Sequence, residues 1–169
     1  SLAIGNNPGT ATLGGTPSRP AIAGIATFDN LTLSAAGVGY TLNASSIGLP
    51  TVPSSAFTIG AAISTTAITN ATPNPSTFGA PVTFTATVTG PGGTPTGTVQ
   101  FKDGAANLGT PVTLVAGVAT LATSALTVAS HPITAVYSGD ANYSTSTSGH
   151  VNPPVNLAGS GTALALSQN

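Results

Sequence analysis

Only a few side chains in this sequence could move a proton, hold a metal or attack a carbonyl. His131 and His150 are the histidines, Asp29, Asp103 and Asp140 the carboxylates, and Arg19 and Lys102 the permanent cations. A metal centre needs converging nitrogen, sulfur or oxygen ligands. No His-x-x-x-His spacing occurs, there is no cysteine, and the three aspartates are scattered along the chain. Nucleophilic catalysis by a serine elbow needs Gly-x-Ser-x-Gly, and Gly159-Ser160-Gly161 supplies only a turn. Gly90-Pro91-Gly92-Gly93 lacks the Gly-Lys-Ser/Thr that completes a phosphate loop. The expectation is therefore no catalytic residue, no cofactor site and no metal site. The histidines are expected at strand ends, and Asp103 and Asp140 in Asx turns beside Gly104 and Gly139.

The charge inventory excludes further classes. Charged residues make up 3% of the 169 residues and the net charge is −1, where about 25% is usual. Two cations cannot neutralise a row of phosphates, so nucleic acid is not an expected partner. No window approaches the roughly 20 apolar residues of a membrane helix, so no membrane insertion is expected. Stability is expected to respond little to salt, or to pH between about 5 and 8, where only the histidines titrate. Four Asn-x-Ser/Thr matches, at Asn30, Asn43, Asn70 and Asn142, fit chance in so Ser- and Thr-rich a chain.

The elements that carry these residues read as strands. In Pro81–Thr89, Val82, Phe84, Ala86 and Val88 alternate with threonines, and period two puts the two sets on opposite faces. Val99 and Phe101 alternate with Thr98, Gln100 and Lys102, and Ile133, Ala135 and Tyr137 share a face. Turn residues separate the runs at Pro73-Asn74-Pro75, Gly90-Pro91-Gly92-Gly93, Asp103-Gly104 and Ser138-Gly139-Asp140. Short strands at this spacing predict an all-β antiparallel sandwich with Phe84, Val99, Phe101, Leu121 and Tyr137 in one core.

The motifs Pro73-Asn74-Pro75-Ser76, Val82-Thr83-Phe84-Thr85-Ala86, Thr96–Phe101, Gly117–Leu121 and Tyr137–Tyr143 run in order through residues 65–151. This stretch resembles the bacterial Ig-like repeats found in tandem in secreted and surface proteins. The resemblance implies a seven-stranded Ig-like sandwich, usually non-catalytic, at the cell surface or outside the cell. Some fibre proteins of this kind cross-link Lys to Asn, but Lys102 alternates outward, which argues against that here. Tyr137 sits where such sandwiches place a corner tyrosine.

Residues 1–60 resemble a second Ig-like repeat lacking its opening strands. Gly24-Ile25-Ala26-Thr27-Phe28 echoes Gly117-Val118-Ala119-Thr120-Leu121, and self-similarity of this kind marks an array. Ser1–Gly5, Thr10–Gly15, Gly39–Ala44 and Ser55–Ile59 are the predicted strands there. Residues 61–64 are a short linker. After Val151, residues 152–169 read as a tail with no place in the complete sandwich, in which Val155–Leu157 and Thr162–Ser167 are short strands.

The tail resembles opening strands, and opening strands are what residues 1–60 lack, so the chain is out of phase with its repeats; it reads either as a fragment of a longer array or as a strand donor. A donor strand of Thr162, Ala163, Leu164, Ala165, Leu166 and Ser167 completing the first domain of a neighbouring subunit would give a head-to-tail homopolymer. The expected function is a non-catalytic extracellular fibre, stalk or adhesin subunit. The alternatives are a carbohydrate- or surface-binding module and a spacer of a larger secreted protein or hydrolase; absence of Trp weighs against the first.

Overall fold

A computed structural model describes residues 1–162. Contacts divide the chain into two compact units. The first comprises Ser1–Ser64 together with Thr89–Pro95 and Gly139–Thr145; the second comprises Thr65–Val88, Thr96–Ser138 and the chain from Ser146 onward. The described secondary structure is all β.

The first unit contains β1 (Leu2–Ile4), β2 (Leu13–Gly14), β3 (Thr32–Leu33), β4 (Gly37–Tyr40), β5 (Leu42–Ser46), β6 (Leu49–Pro53) and β7 (Phe57–Ile59). They form small separate ladders, β1-β5-β6, β2-β3 and β4-β7. The predicted strands Ser1–Gly5, Thr10–Gly15 and Ser55–Ile59 correspond to β1, β2 and β7, and Gly39–Ala44 is divided between β4 and β5. Gly24–Phe28 does not become a strand. Its one backbone pairing is the Ile22–Ile25 bridge, and its residues are exposed apart from a half-buried Phe28. Among residues 1–64 the buried hydrophobics are Ala11 and Tyr40. Tyr40 stacks on Phe57 with ring centroids 6.0 Å apart, and its hydroxyl donates to Ala35 O at 3.0 Å.

The second unit contains β8 (Thr65–Thr72), β9 (Ser76–Thr77), β10 (Val82–Thr89), β11 (Thr98–Asp103), β12 (Ala106–Asn107), β13 (Val112–Thr113), β14 (Val118–Thr123), β15 (Ile133–Tyr137), β16 (Ser146–Thr147) and β17 (Val155–Asn156). One sheet has the order β14-β10-β8; the other has β12-β11-β15-β16, with β13 also on β11. This is an Ig-like sandwich, and its register follows the alternation in the sequence. Val82, Phe84, Ala86 and Val88 are buried from one face and Val99, Phe101, Ile133, Ala135 and Tyr137 from the other. Phe84 and Phe101 meet at 6.4 Å between ring centroids. Leu121 departs from the expected core. It is half-buried beside Gly109, while Ala119, two residues earlier on the same face, is 1% exposed.

Val155 and Asn156 are not spare strand, which corrects the reading of the tail. They pair in parallel with Ser76 and Thr77. Val155 N–H donates to Ala129 O at 2.9 Å, Phe78 N–H to Asn156 O at 2.8 Å, and Ser76 N–H to Pro154 O at 3.0 Å. Pro153 and Val155 are buried. The Asn152-Pro153-Pro154 break is thus a crossing of the chain to β9, where Val155 gains an apolar site and its backbone gains partners. Leu157 is exposed, and Thr162 is exposed and outside any strand. Ala163, Leu164, Ala165, Leu166 and Ser167 lie outside the described residues.

Candidate functional site

The fold brings together one pair of titratable groups that are distant in sequence. Asp103 ends β11, and His131 precedes β15 by one residue, with Pro132 between. The antiparallel register sets Asp103 opposite Ile133, which carries His131 to the same end of the sheet. His131 Nδ1 lies 2.6 Å from Asp103 Oδ2, and Nε2 lies 2.9 Å from Thr127 O. The imidazole side chain is 9% exposed and the Asp103 carboxylate 29%. His131 lies at a strand end as expected, but Asp103, expected in an Asx turn, binds His131 instead.

Both ring nitrogens of His131 face acceptors. Thr127 O can only accept, so Nε2 carries hydrogen. A second hydrogen on Nδ1 converts a lone-pair clash with the carboxylate into a charge-assisted bond. Burial opposes the charged ring, but the Thr127 carbonyl, the hydrogen bond to Asp103 and the charge of Asp103 outweigh it. The pKa of His131 is raised above 6.5. A ring with both nitrogens committed offers no lone pair to a metal or to a substrate proton. The arrangement suits a structural clamp between the end of β11 and the loop before β15, rather than acid–base chemistry. His150 is exposed, and among the described residues no group of three or more His, Cys, Asp or Glu side chains could hold a metal.

The other charged groups take local roles. Asp140 Oδ1 accepts from the N–H groups of Asn142 and Tyr143, each at 2.8 Å, which is the expected Asx turn. Lys102 does point outward, and its Nζ donates to Asn107 Oδ1 at 2.8 Å on the exposed side of the β11–β12 hairpin. Arg19 and Asp29 form an ion pair at 2.6 Å. Arg19 lines a cleft with Ser1, Ser45 and Ser46, but no histidine or carboxylate among the lining residues is there to activate a hydroxyl.

What the first unit offers is an incomplete apolar interior. Gly24, Ala26 and Phe28 line a cleft together with Leu2, Leu49 and Val52. Ile22, Ile25, Leu49 and Val52 are exposed, whereas the second unit buries Val82, Val88, Val99 and Ile133 between its sheets and exposes Val115, Val128 and Leu157 outside them.

A model of the family described as bacterial Ig-like domain (group 3) matches residues 68–156, a span that includes β17. No curated protein and no solved structure matches the chain.

Proposed function

We propose, from the premise that the chain belongs to the bacterial Ig-like domain family, that it is a non-catalytic structural subunit of an extracellular fibre, stalk or adhesin. Domains of this family are modules of surface and secreted proteins. The subunits join head to tail: an extended segment of one, Thr162–Ser167, adds as a strand to the first unit of the next.

The observation that carries this reading is the contrast in burial between the two units. Ala11, Tyr40 and Tyr143 are the buried hydrophobics of the first unit, while the second unit closes around Phe84, Phe101, Ile133 and Tyr137. An open apolar interior with unpaired backbone favours strand addition, because the added strand contributes ladder hydrogen bonds and apolar side chains together. Thr162, Leu164 and Leu166 alternate with Ala163, Ala165 and Ser167, so such a strand can present both leucines to one face. Charge contributes little, since the chain has two cations and three carboxylates.

The test is truncation after Gly161, which removes the segment and leaves Val155 and Asn156 in their sheet. Negative-stain images and sedimentation of the intact chain should show linear polymers, and the truncated chain should remain monomeric. A truncated chain that still polymerises, or an intact chain that stays monomeric at high concentration, refutes strand donation.

A further inference from the structure

The two units share a turn whose geometry repeats with an offset of 93 residues, and among the described residues one copy has a strand beside it and the other does not. In the second unit, Val115 and Val118 exchange hydrogen bonds of 2.9 and 3.0 Å around Ala116 and Gly117, whose φ values are 50° and 77°. In the first unit, Ile22 and Ile25 exchange bonds of 2.8 and 3.0 Å around Ala23 and Gly24, with φ of 51° and 80°. Positive φ at both central residues defines a type I′ hairpin turn, which suits the right-handed twist of strands. The local chemistry that launches a strand is therefore the same in both.

The next residues diverge. From Val118 the chain enters β14, which pairs with β10 from Val82↔Thr123 to Thr87↔Val118. From Ile25 the chain has no ladder partner among the described residues. Ala26 corresponds to Ala119 and Phe28 to Leu121 under the same offset. Ala119 is 1% exposed beneath β10; Ala26 is exposed. Side-chain direction is already that of a strand. Gly24, Ala26 and Phe28 look into the cleft, while Ile25 and Thr27 line a separate depression with Ile22. Period two is kept without a neighbour to enforce it.

We propose that residues 24–28 are the acceptor edge of this unit, and that their partner is an extended, alternately apolar segment of a second copy of this chain, paired antiparallel as β10 pairs with β14. This rests on the strand-donation reading above and names where the donated strand lies. The β10–β14 ladder specifies the contacts. Val88 N–H donates to Gly117 O at 2.8 Å, and alternation along the ladder then directs the backbone groups of Ala119 and Leu121 toward β10. By correspondence, Ala26 and Phe28 offer N–H and C=O to the incoming strand, and its apolar side chains enter the cleft over Leu2 and Val52.

The outer strand β6, which also lines the cleft, is less suited. β6 is the outer strand of its ladder, but it reads Leu49-Pro50-Thr51-Val52-Pro53, and its two prolines lack the N–H groups that pairing needs. Residues 24–28 contain neither proline nor charge, the two usual guards of an edge.

The experiment compares Ala26→Arg with Thr27→Arg in the intact chain. Ala26 faces the cleft and Thr27 faces away, so only the first blocks an incoming strand. Ala26→Arg should raise the concentration needed for polymer formation at least tenfold, and Thr27→Arg should leave it near that of the parent. Amide exchange at Ala26 and Phe28 in the parent should slow at least a hundredfold on polymerisation. Polymers that form normally with Ala26→Arg but vanish on truncation after Gly161 overturn this acceptor edge and leave strand donation standing. Equal loss with both variants overturns the register. Slow exchange at Ala26 in the monomer overturns the second copy as occupant, since the edge is then already filled. Polymers that survive truncation overturn strand donation itself.

Discussion

Replacing Asp103 by Asn should weaken the second unit in a pH-dependent way. His131 donates to Thr127 O and faces the Asp103 carboxylate at 2.6 Å. Its pKa is raised above 6.5 in the folded chain: burial opposes the charge, and the carbonyl and carboxylate more than offset it. A group whose folded pKa is raised adds stability that is fully present below its unfolded pKa, about 6.5. That stability is lost as pH climbs through the folded value. The parent should thus be more stable at pH 5.5 than at pH 8, which revises the expectation from sequence of little pH response in this range. Asn keeps the shape and a hydrogen-bond acceptor but removes the charge. A hydrogen bond to a charged group contributes about 1.5–3 kcal/mol. Asp103 is 29% exposed, so solvent screening places the loss toward about 1.5 kcal/mol. Urea unfolding followed at pH 5.5 and pH 8 should show this loss mainly at the lower pH, with a flatter pH profile for Asp103→Asn. The ring protons of His131, followed by NMR, should titrate above 6.5. A parent whose stability is constant or falls on acidification from pH 8 to pH 5.5 refutes the reasoning.

Phe84→Ala should destabilise the sandwich by about 3–5 kcal/mol, because Phe84 is fully buried against Phe101; a urea midpoint within error of the parent would show the register to be wrong. Val155→Asp places a carboxylate at a site 4% exposed and should cost several kcal/mol, whereas Leu157→Asp, on an exposed residue, should cost under about 0.5 kcal/mol. Equal denaturation midpoints for these two variants would remove β17 from the sandwich.

Much of the second unit is legible because its strands combine local alternation with turn residues. Val82–Val88 reads as a buried face from sequence, and the neighbouring chain then covers that face. Leu121 misleads because alternation gives its side but not how far the facing sheet extends beyond it; Gly109 and the edge leave it half-covered. The contact of His131 with Asp103 could be found only by aligning the ends of two strands that lie 28 residues apart in sequence. Asp103-Gly104 looks like any Asx turn, and a proline follows His131, so neither residue signals the other. Val155 is hidden differently. Two prolines before it suggest a terminator, but they serve an extended crossing that ends in a two-residue parallel pairing, too short to leave a periodic trace.

The sharpest lesson comes from two segments with one pattern and two outcomes. Gly24–Phe28 and Gly117–Leu121 differ only by Ile for Val and Phe for Leu, and share their period and the type I′ turn that opens them. Local propensity therefore cannot explain why one is β14 and the other is unpaired. The difference is the presence of β10, whose Phe84 and Ala86 lie opposite Leu121 and Ala119. A strand is a relation between segments, and its sequence encodes half of that relation. In a chain with 3% charged residues, the other half cannot be selected by electrostatic steering. Selection falls to backbone pairing and to the fit of alternate side chains, and a one-residue slip would turn every apolar group of the incoming strand away from the cleft. An edge of this kind, flanked by the single Arg19–Asp29 pair, would select an extended strand whose apolar residues fall every second position.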